Sequence, residues 1–452
     1  MEKIHKQLMS ALGVIALAGG TFLQAAPATD PPVRVTSTVD RPLLPRHTDD
    51  RKVVIKIEVE GAERASRNDR TPLNLAVVID RSGSMSGAKL EQAKQAASML
   101  VDQLDPEDVL SLVVYESEVD VLLHAARLGD RRREIKNRIR NIQTGGSTAL
   151  YDGVDCGGRE LEEFLSRERI NRVILLSDGI ANVGPSSNRE IANLGQRLAK
   201  RGGSVTTIGL GDDYNETLMT ALAEASDANY YYVGDVEKLP EVFESELGEL
   251  KSIVARDIHI EIHCPRGVRP LRFLGRPEKL ETQQGSVVLS TLSSQQTREL
   301  YLECTIDEDS FGDISEIAEV VVRYSDASAK AKSRVETMPI VVGYTDDVKM
   351  ATASIDKAVQ AEAVVFANAE DTEKAIRLAD SGDIAACREQ LSWQIGNLKR
   401  AYTAAPAAQQ RILKEEIAAV EEAKIDLADD QLSKGQRKKL ATGSFDYRNS
   451  KK

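Results

Sequence analysis

Residues 78–86 read VIDRSGSMS. An apolar run ends in Asp80, and hydroxyls follow at Ser82 and Ser84 with Gly83 between them. Two further segments carry the same oxygen chemistry. In TGGSTALYDG, Ser147 and Thr148 follow a pair of glycines; in VILLSDG, another apolar run ends at Asp178. No His or Cys stands among these residues. An oxygen-only set suits a hard divalent cation: Mg²⁺ first, with Mn²⁺ or Ca²⁺ as substitutes, and water completing the shell. Hydroxyls are neutral ligands, so an ion held here keeps much of its positive charge and attracts a carboxylate from outside. DRSGS alone is also a good helix-capping turn, since Asp and Ser cap well and Gly relieves the turn. A third use of Asp80 is as a phosphoryl-accepting nucleophile, with Asp178 on a metal. That chemistry wants a second Asp two residues later as general acid, and Ser82 stands there instead. The chain has no Walker A loop, GxSxG elbow or HExxH helix.

The elements that must position these residues follow from the patterning. From Leu73, near-continuous apolar runs (LNLAVVID, DVLSLVVYE, NRVILLSDG, SVTTIGLG) alternate with amphipathic stretches such as GAKLEQAKQAASMLVDQL. This rhythm predicts a doubly wound, mostly parallel sheet flanked by helices over 72–252. In such a sheet function gathers at the carboxyl ends of the strands, where Asp80 and Asp178 both fall. GLGDDYNE sets Asp212 and Asp213 at a further strand end, and with Ser147 they form a candidate partner-binding rim; a loop with a helix N-cap is the plainer reading of that segment. Residues 253–343 read as short alternating strands of an antiparallel β-sandwich. Residues 29–71 read as a proline-rich linker, with a short alternating piece at VRVTSTV and a half-exposed strand at 52–60. That strand is expected to join the sandwich, making the α/β segment an insertion between β strands. Residues 344–432 read as three antiparallel helices and 433–452 as a basic, flexible tail.

DRSGSM, the Thr148 loop and LLSDG together resemble a von Willebrand factor A (VWA) domain with a complete metal-ion-dependent adhesion site. The family pattern is Asp-x-Ser-x-Ser, then a distant Thr, then a distant Asp. The resemblance implies that Ser82, Ser84 and Thr148 touch the metal directly, and that Asp80 and Asp178 act directly or through water. Ser147 is the neighbouring alternative to Thr148. The wider layout is similar to bacterial secreted proteins of this type, in which a β region and a helical tail follow the VWA domain. What this implies is a non-enzymatic binding protein that captures an Asp or Glu carboxylate of a protein partner. The alternatives are an envelope scaffold whose metal site is secondary and a metal-dependent phosphohydrolase.

Composition limits the partners. A net charge of −12 over 452 residues argues against nucleic-acid binding by the body of the protein. The stretch KGQRKKLATGSFDYRNSKK carries seven Lys or Arg against one Asp, a handle for an acidic surface. At the N-terminus, two lysines precede an apolar run from Leu8 to Leu23, and small residues including Ala26 and Ala28 follow. This order is that of a secretory signal peptide cut near residue 28, or of a retained anchor, and it places the protein in the periplasm, envelope or extracellular space. The four cysteines show no zinc spacing; Cys264 and Cys304 sit in similar strand-like runs and are candidates for a disulfide.

Overall fold

The computed structural model describes residues 31–46, 51–63, 70–179, 181–307, 313–327, 332–427 and 431–450; the leader-like segment 1–28 lies outside them. The chain opens with β1 (Val33–Val39), β2 (Leu43–Pro45) and β3 (Lys52–Gly61). An α/β segment follows: β4 (Leu73–Asp80), α1 (Ala88–Gln103), β5 (Val109–Tyr115), β6 (Val119–Arg127), α2 (Arg132–Arg140) and α3 (Leu150–Glu162). It continues through β7 (Ile170–Ser177), α4 (Asn188–Lys200), β8 (Gly203–Leu210), α5 (Glu216–Ala225), β9 (Tyr230–Val233) and α6 (Leu239–Lys251).

These strands form one sheet in the order β6-β5-β4-β7-β8-β9. All pairs are parallel except β5–β6, so the sheet is mixed. β4 lies inside it and is buried along its whole length. Side chains alternate across a strand, so Leu75, Val77 and Ile79 join the core shared with α1, α2 and α6. Ala76 and Val78 join the opposite core with α3, α4 and α5. This double coverage is why LNLAVVID is apolar on both faces.

Six further strands come next: β10 (Ile253–His263), β11 (Val268–Phe273), β12 (Gln284–Ser293), β13 (Thr297–Ile306), β14 (Ile314–Asp326) and β15 (Ser333–Thr345). They make two sheets, β1-β3-β13-β11 and β12-β10-β14-β15-β2, which contribute to a single apolar core. β3 pairs with β1 on one side and β13 on the other, so the N-terminal strands close onto strands that follow the α/β segment. The second sheet is not wholly antiparallel: the short β2, not anticipated from the sequence, runs parallel to β15. Cys264 and Cys304 are both buried there as neighbouring free thiols.

The rest is helical: α7 (Val348–Ala353), α8 (Lys357–Asp380), α9 (Ile384–Ala404), α10 (Ala407–Asp426) and α11 (Lys434–Arg448). The short α7 is additional to the three long helices expected over 344–432. The flexible tail expected at 433–452 is corrected: most of it is α11, capped by Ser433, whose side chain accepts from the Gln436 amide. Its Leu440, Phe445 and Tyr447 are buried, with Phe445 against the α/β segment and Leu440 and Tyr447 against the other helices. A charge count alone hid these anchors. Among the described residues, no helix is long and apolar enough to cross a membrane.

Candidate metal centre

The hydrogen bonds of β4 with β5 and β7 carry Asp80 to the carboxyl edge of the sheet. Its carboxylate is fully buried. Oδ2 accepts from Ser177 Oγ at 2.6 Å and Tyr115 Oη at 3.3 Å, and Oδ1 accepts from the Ser82 amide at 2.8 Å. Burial pushes the Asp80 pKa above its usual value, against the lowering effect of the Ser177 and Ser82 hydrogen bonds.

The loop after Asp80 makes a 3₁₀ turn at Gly83–Met85, pinned by the buried Met85. This turn brings Ser82 Oγ within 3.1 Å of Ser84 Oγ, and Ser84 Oγ donates to Asp178 Oδ1 at 2.7 Å. Asp178, one residue beyond β7, is also fully buried. The Thr148 loop is tied alongside: the Gly145 amide donates to Arg81 O at 2.8 Å and the Gly83 amide to Gly146 O at 3.3 Å. Gly146 holds a φ of +52°, and a side chain there would meet Glu116, so glycine is required at this crossing.

Between the two candidate Thr-position residues the geometry discriminates. Thr148 is buried and its amide donates to Asn182 Oδ1 at 2.8 Å; Ser147 is exposed and its amide is held by Ser117 Oγ at 2.9 Å. A Cβ placed on Gly179 would lie 3.0 Å from Thr148 Oγ1 and 3.4 Å from Asp80 Oδ2. Thr148 and Asp80 thus present oxygens to one small space, which a larger residue at 179 would fill. Asp80, Ser82, Ser84, Thr148 and Asp178 are therefore brought together. Asp212 and Asp213 are exposed, and each already has hydrogen-bond partners within the chain. Tyr232 Oη donates to Asp212 Oδ1 at 2.6 Å, Lys438 Nζ to Asp212 O at 2.9 Å and Lys434 Nζ to Asp213 Oδ1 at 2.8 Å. The basic α11 has taken these acids as its own partners.

The oxygen donors and the glycine-lined space fit a hard divalent ion that keeps water in its shell. Among the described residues, no three His, Cys, Asp or Glu side chains converge, so a metal here would depend on hydroxyls beside two carboxylates. Sequence reasoning passed over Ser177, Tyr115 and Lys89. Ser177 and Tyr115 end strands adjacent to β4, a position that could have flagged them. Lys89 had no local signal: it lies on α1, and its ammonium donates to Asp178 Oδ2. Lys89 is a tethered cation that would compete with a metal for Asp178. Lys89→Ala is expected to strengthen divalent-metal binding about fivefold, since a unit charge about 4 Å away is worth roughly 1 kcal/mol even with water-like screening. It should also lower the stability of the metal-free protein, because buried Asp178 loses its counter-charge. Titration calorimetry with Mg²⁺ and urea unfolding in EDTA read the two effects separately.

Comparison with known proteins locates this centre in a known domain type. Residues 74–245 match the model of the von Willebrand factor type A domain. The uncharacterized protein YfbK of Escherichia coli K12 is 26% identical over 255 residues, which is 56% of this chain and 44% of that protein. The uncharacterized protein sll0103 of Synechocystis is 25% identical over 341 residues, covering 73% of this chain and 79% of that protein. This chain thus spans less than half of the first relative and most of the second. Among solved structures, the von Willebrand factor type A protein from Catenulispora acidiphila superimposes with a TM-score of 0.70 at 16% identity, covering 92% of this chain and 96% of that one.

Proposed function

We propose, from the von Willebrand factor type A domain that this chain carries, that the centre at the carboxyl edge of β4 and β7 holds Mg²⁺ and works by binding rather than by catalysis. Ser82, Ser84 and Thr148 supply neutral hydroxyls, and Asp80 and Asp178 supply charge directly or through water. When bound, the ion supplies an open, positively charged position that takes a carboxylate from a protein partner. The chain's residues orient the loops, bury both acids and leave Ser84 and Ser147 at the surface. The observation that carries this reading is the convergence of Asp80 Oδ2 and Thr148 Oγ1 at Gly179, next to the Ser84–Asp178 hydrogen bond. Ser82 occupies the place where a phosphohydrolase would need a second acid, which favours binding over turnover. The leader-like N-terminus supports a role outside the cytoplasm, in adhesion or complex assembly.

The test is capture. Acidic and amidated versions of one peptide library are passed over the immobilised protein in Mg²⁺ and in EDTA. Retention of acidic peptides only in Mg²⁺, lost in Thr148→Ala, is expected. Equal retention in EDTA, or equal retention of the amidated set, would refute the reading.

A further inference from the structure

On the opposite edge of the α/β sheet, where β7 and β8 begin, a cleft of about 760 Å³ opens between this segment and the β10–β12 face. It is the size of a small-molecule site. Its cationic lining comes from separate elements: Arg167 and Arg169 before β7, Lys200 and Arg201 at the end of α4, and Arg256 on β10, with His259 nearby.

The acids of the cleft balance this charge poorly. Glu224 is held by Arg448, and Asp227 by Arg298 and the Ser290 amide. Arg201 is paired with Glu162. Asp257 remains beside Arg256, whereas Arg167 and Lys200 are exposed and make no ion pair among the described residues. Arg169 donates to two carbonyl oxygens, Leu73 O at 3.3 Å and Glu107 O at 2.9 Å.

Arg256 is the central observation. It is only 7% exposed, yet among the described residues its buried Nε has no hydrogen-bond partner and its Nη1 has only Arg169 O at 3.4 Å. An orphaned buried donor is destabilising until a partner satisfies it. A register shift between β10 and β14, from Arg256 to His259, interrupts their pairing at this residue, with Asp257 at a φ of +50°. Bulges of this kind re-aim a side chain and gather beside functional sites. Burial lowers the Arg256 pKa, with a smaller contribution from Arg167 and against the opposing effect of Asp257, Asp326 and Glu168.

We propose that this cleft is a second binding site, independent of the metal centre, for a small polyvalent oxyanion held by Arg256, Arg167, Arg169 and Lys200. Guanidinium forks suit phosphate and carboxylate oxygens alike. The test uses two probes, pyrophosphate for the phosphate class and citrate for the carboxylate class. Each is titrated calorimetrically into the full chain in EDTA at fixed ionic strength, with chloride as control. Saturable binding of either probe is expected, weakened roughly tenfold or more in Arg167→Ala and in Arg256→Gln, as the loss of a charged hydrogen bond implies. The probe that binds assigns the ligand class. Lys200→Ala, at an exposed position, keeps the test valid where the buried substitution disturbs folding. Binding of neither probe above the chloride control, or binding unchanged in both Arg167→Ala and Lys200→Ala, would overturn the proposal.

Discussion

Asp80→Asn is expected to raise the unfolding midpoint of the metal-free protein at neutral pH and to abolish its response to Mg²⁺. Both halves come from one side chain in one environment. Asp80 is fully buried, and burial is the largest influence raising its pKa. A carboxyl whose folded pKa lies above its unfolded value of 3.8 binds its proton more tightly when folded. Its ionised form therefore costs stability at every pH above the raised folded value, and that cost disappears below 3.8. Asparagine removes the charge, and its oxygen still accepts from the Ser82 amide. The metal response moves the other way. An ion saturated at about 100 times its Kd stabilises the fold by roughly 2.7 kcal/mol. Losing the charge that Asp80 would supply, directly or through water, should cost at least as much as losing an outer-shell partner, so affinity falls by about 10–100-fold or more. The wild type should also lose Mg²⁺ affinity as pH drops through the raised Asp80 pKa, because the proton and the ion compete for the same oxygens. Differential scanning fluorimetry with and without Mg²⁺ measures both halves. A variant that still shifts with Mg²⁺ would remove Asp80 from the site.

Legibility followed the range of the interactions involved. β4 was readable because eight consecutive residues are buried on two faces and must be apolar on both. Asp80 and Asp178 were readable because each ends such a run. Which of Ser147 and Thr148 turns inward was not decided by the residues alone; it depends on Asn182 and Ser117, from other loops, holding the backbone. Lys89 was invisible for the same reason, since its partner lies 89 residues away. The β3 strand announced itself by alternation, whereas β2 has three residues and no period to detect. α11 was missed because lysines and arginines dominate its composition while a few buried side chains decide its position. Its charges are matched within the chain, by Asp213, Glu216, Asp380, Glu224 and Glu373.

That last point makes a second large effect predictable: Phe445→Ala should release α11. Phe445 is 1% exposed and its ring lies 5.6 Å from the ring of Tyr230 at 67°, an edge-on pair. It is the apolar anchor that carries α11 into the core of the α/β segment, while Tyr447, edge-on to Phe366, ties the same helix to α8. Emptying this position should cost about 3–5 kcal/mol. The exposed Lys434–Asp213 pair adds under about 1 kcal/mol to this anchoring. Hydrogen exchange should therefore show residues 434–448 losing protection before the rest of the sheet. Lys438→Met is the informative comparison. Lys438 is 2% exposed, and burial pushes its pKa down to about 8 despite nearby Asp212 and Glu216. Removing one member of a buried ion pair is costly when it strands the other charge and mild when that charge keeps a second partner. Glu216 also keeps Arg437 as a partner. If packing holds α11, Lys438→Met leaves its protection within about 1 kcal/mol of wild type while Phe445→Ala abolishes it. The reverse ranking would mean that charge, not the aromatic anchor, seats the helix beside Asp212 and Asp213.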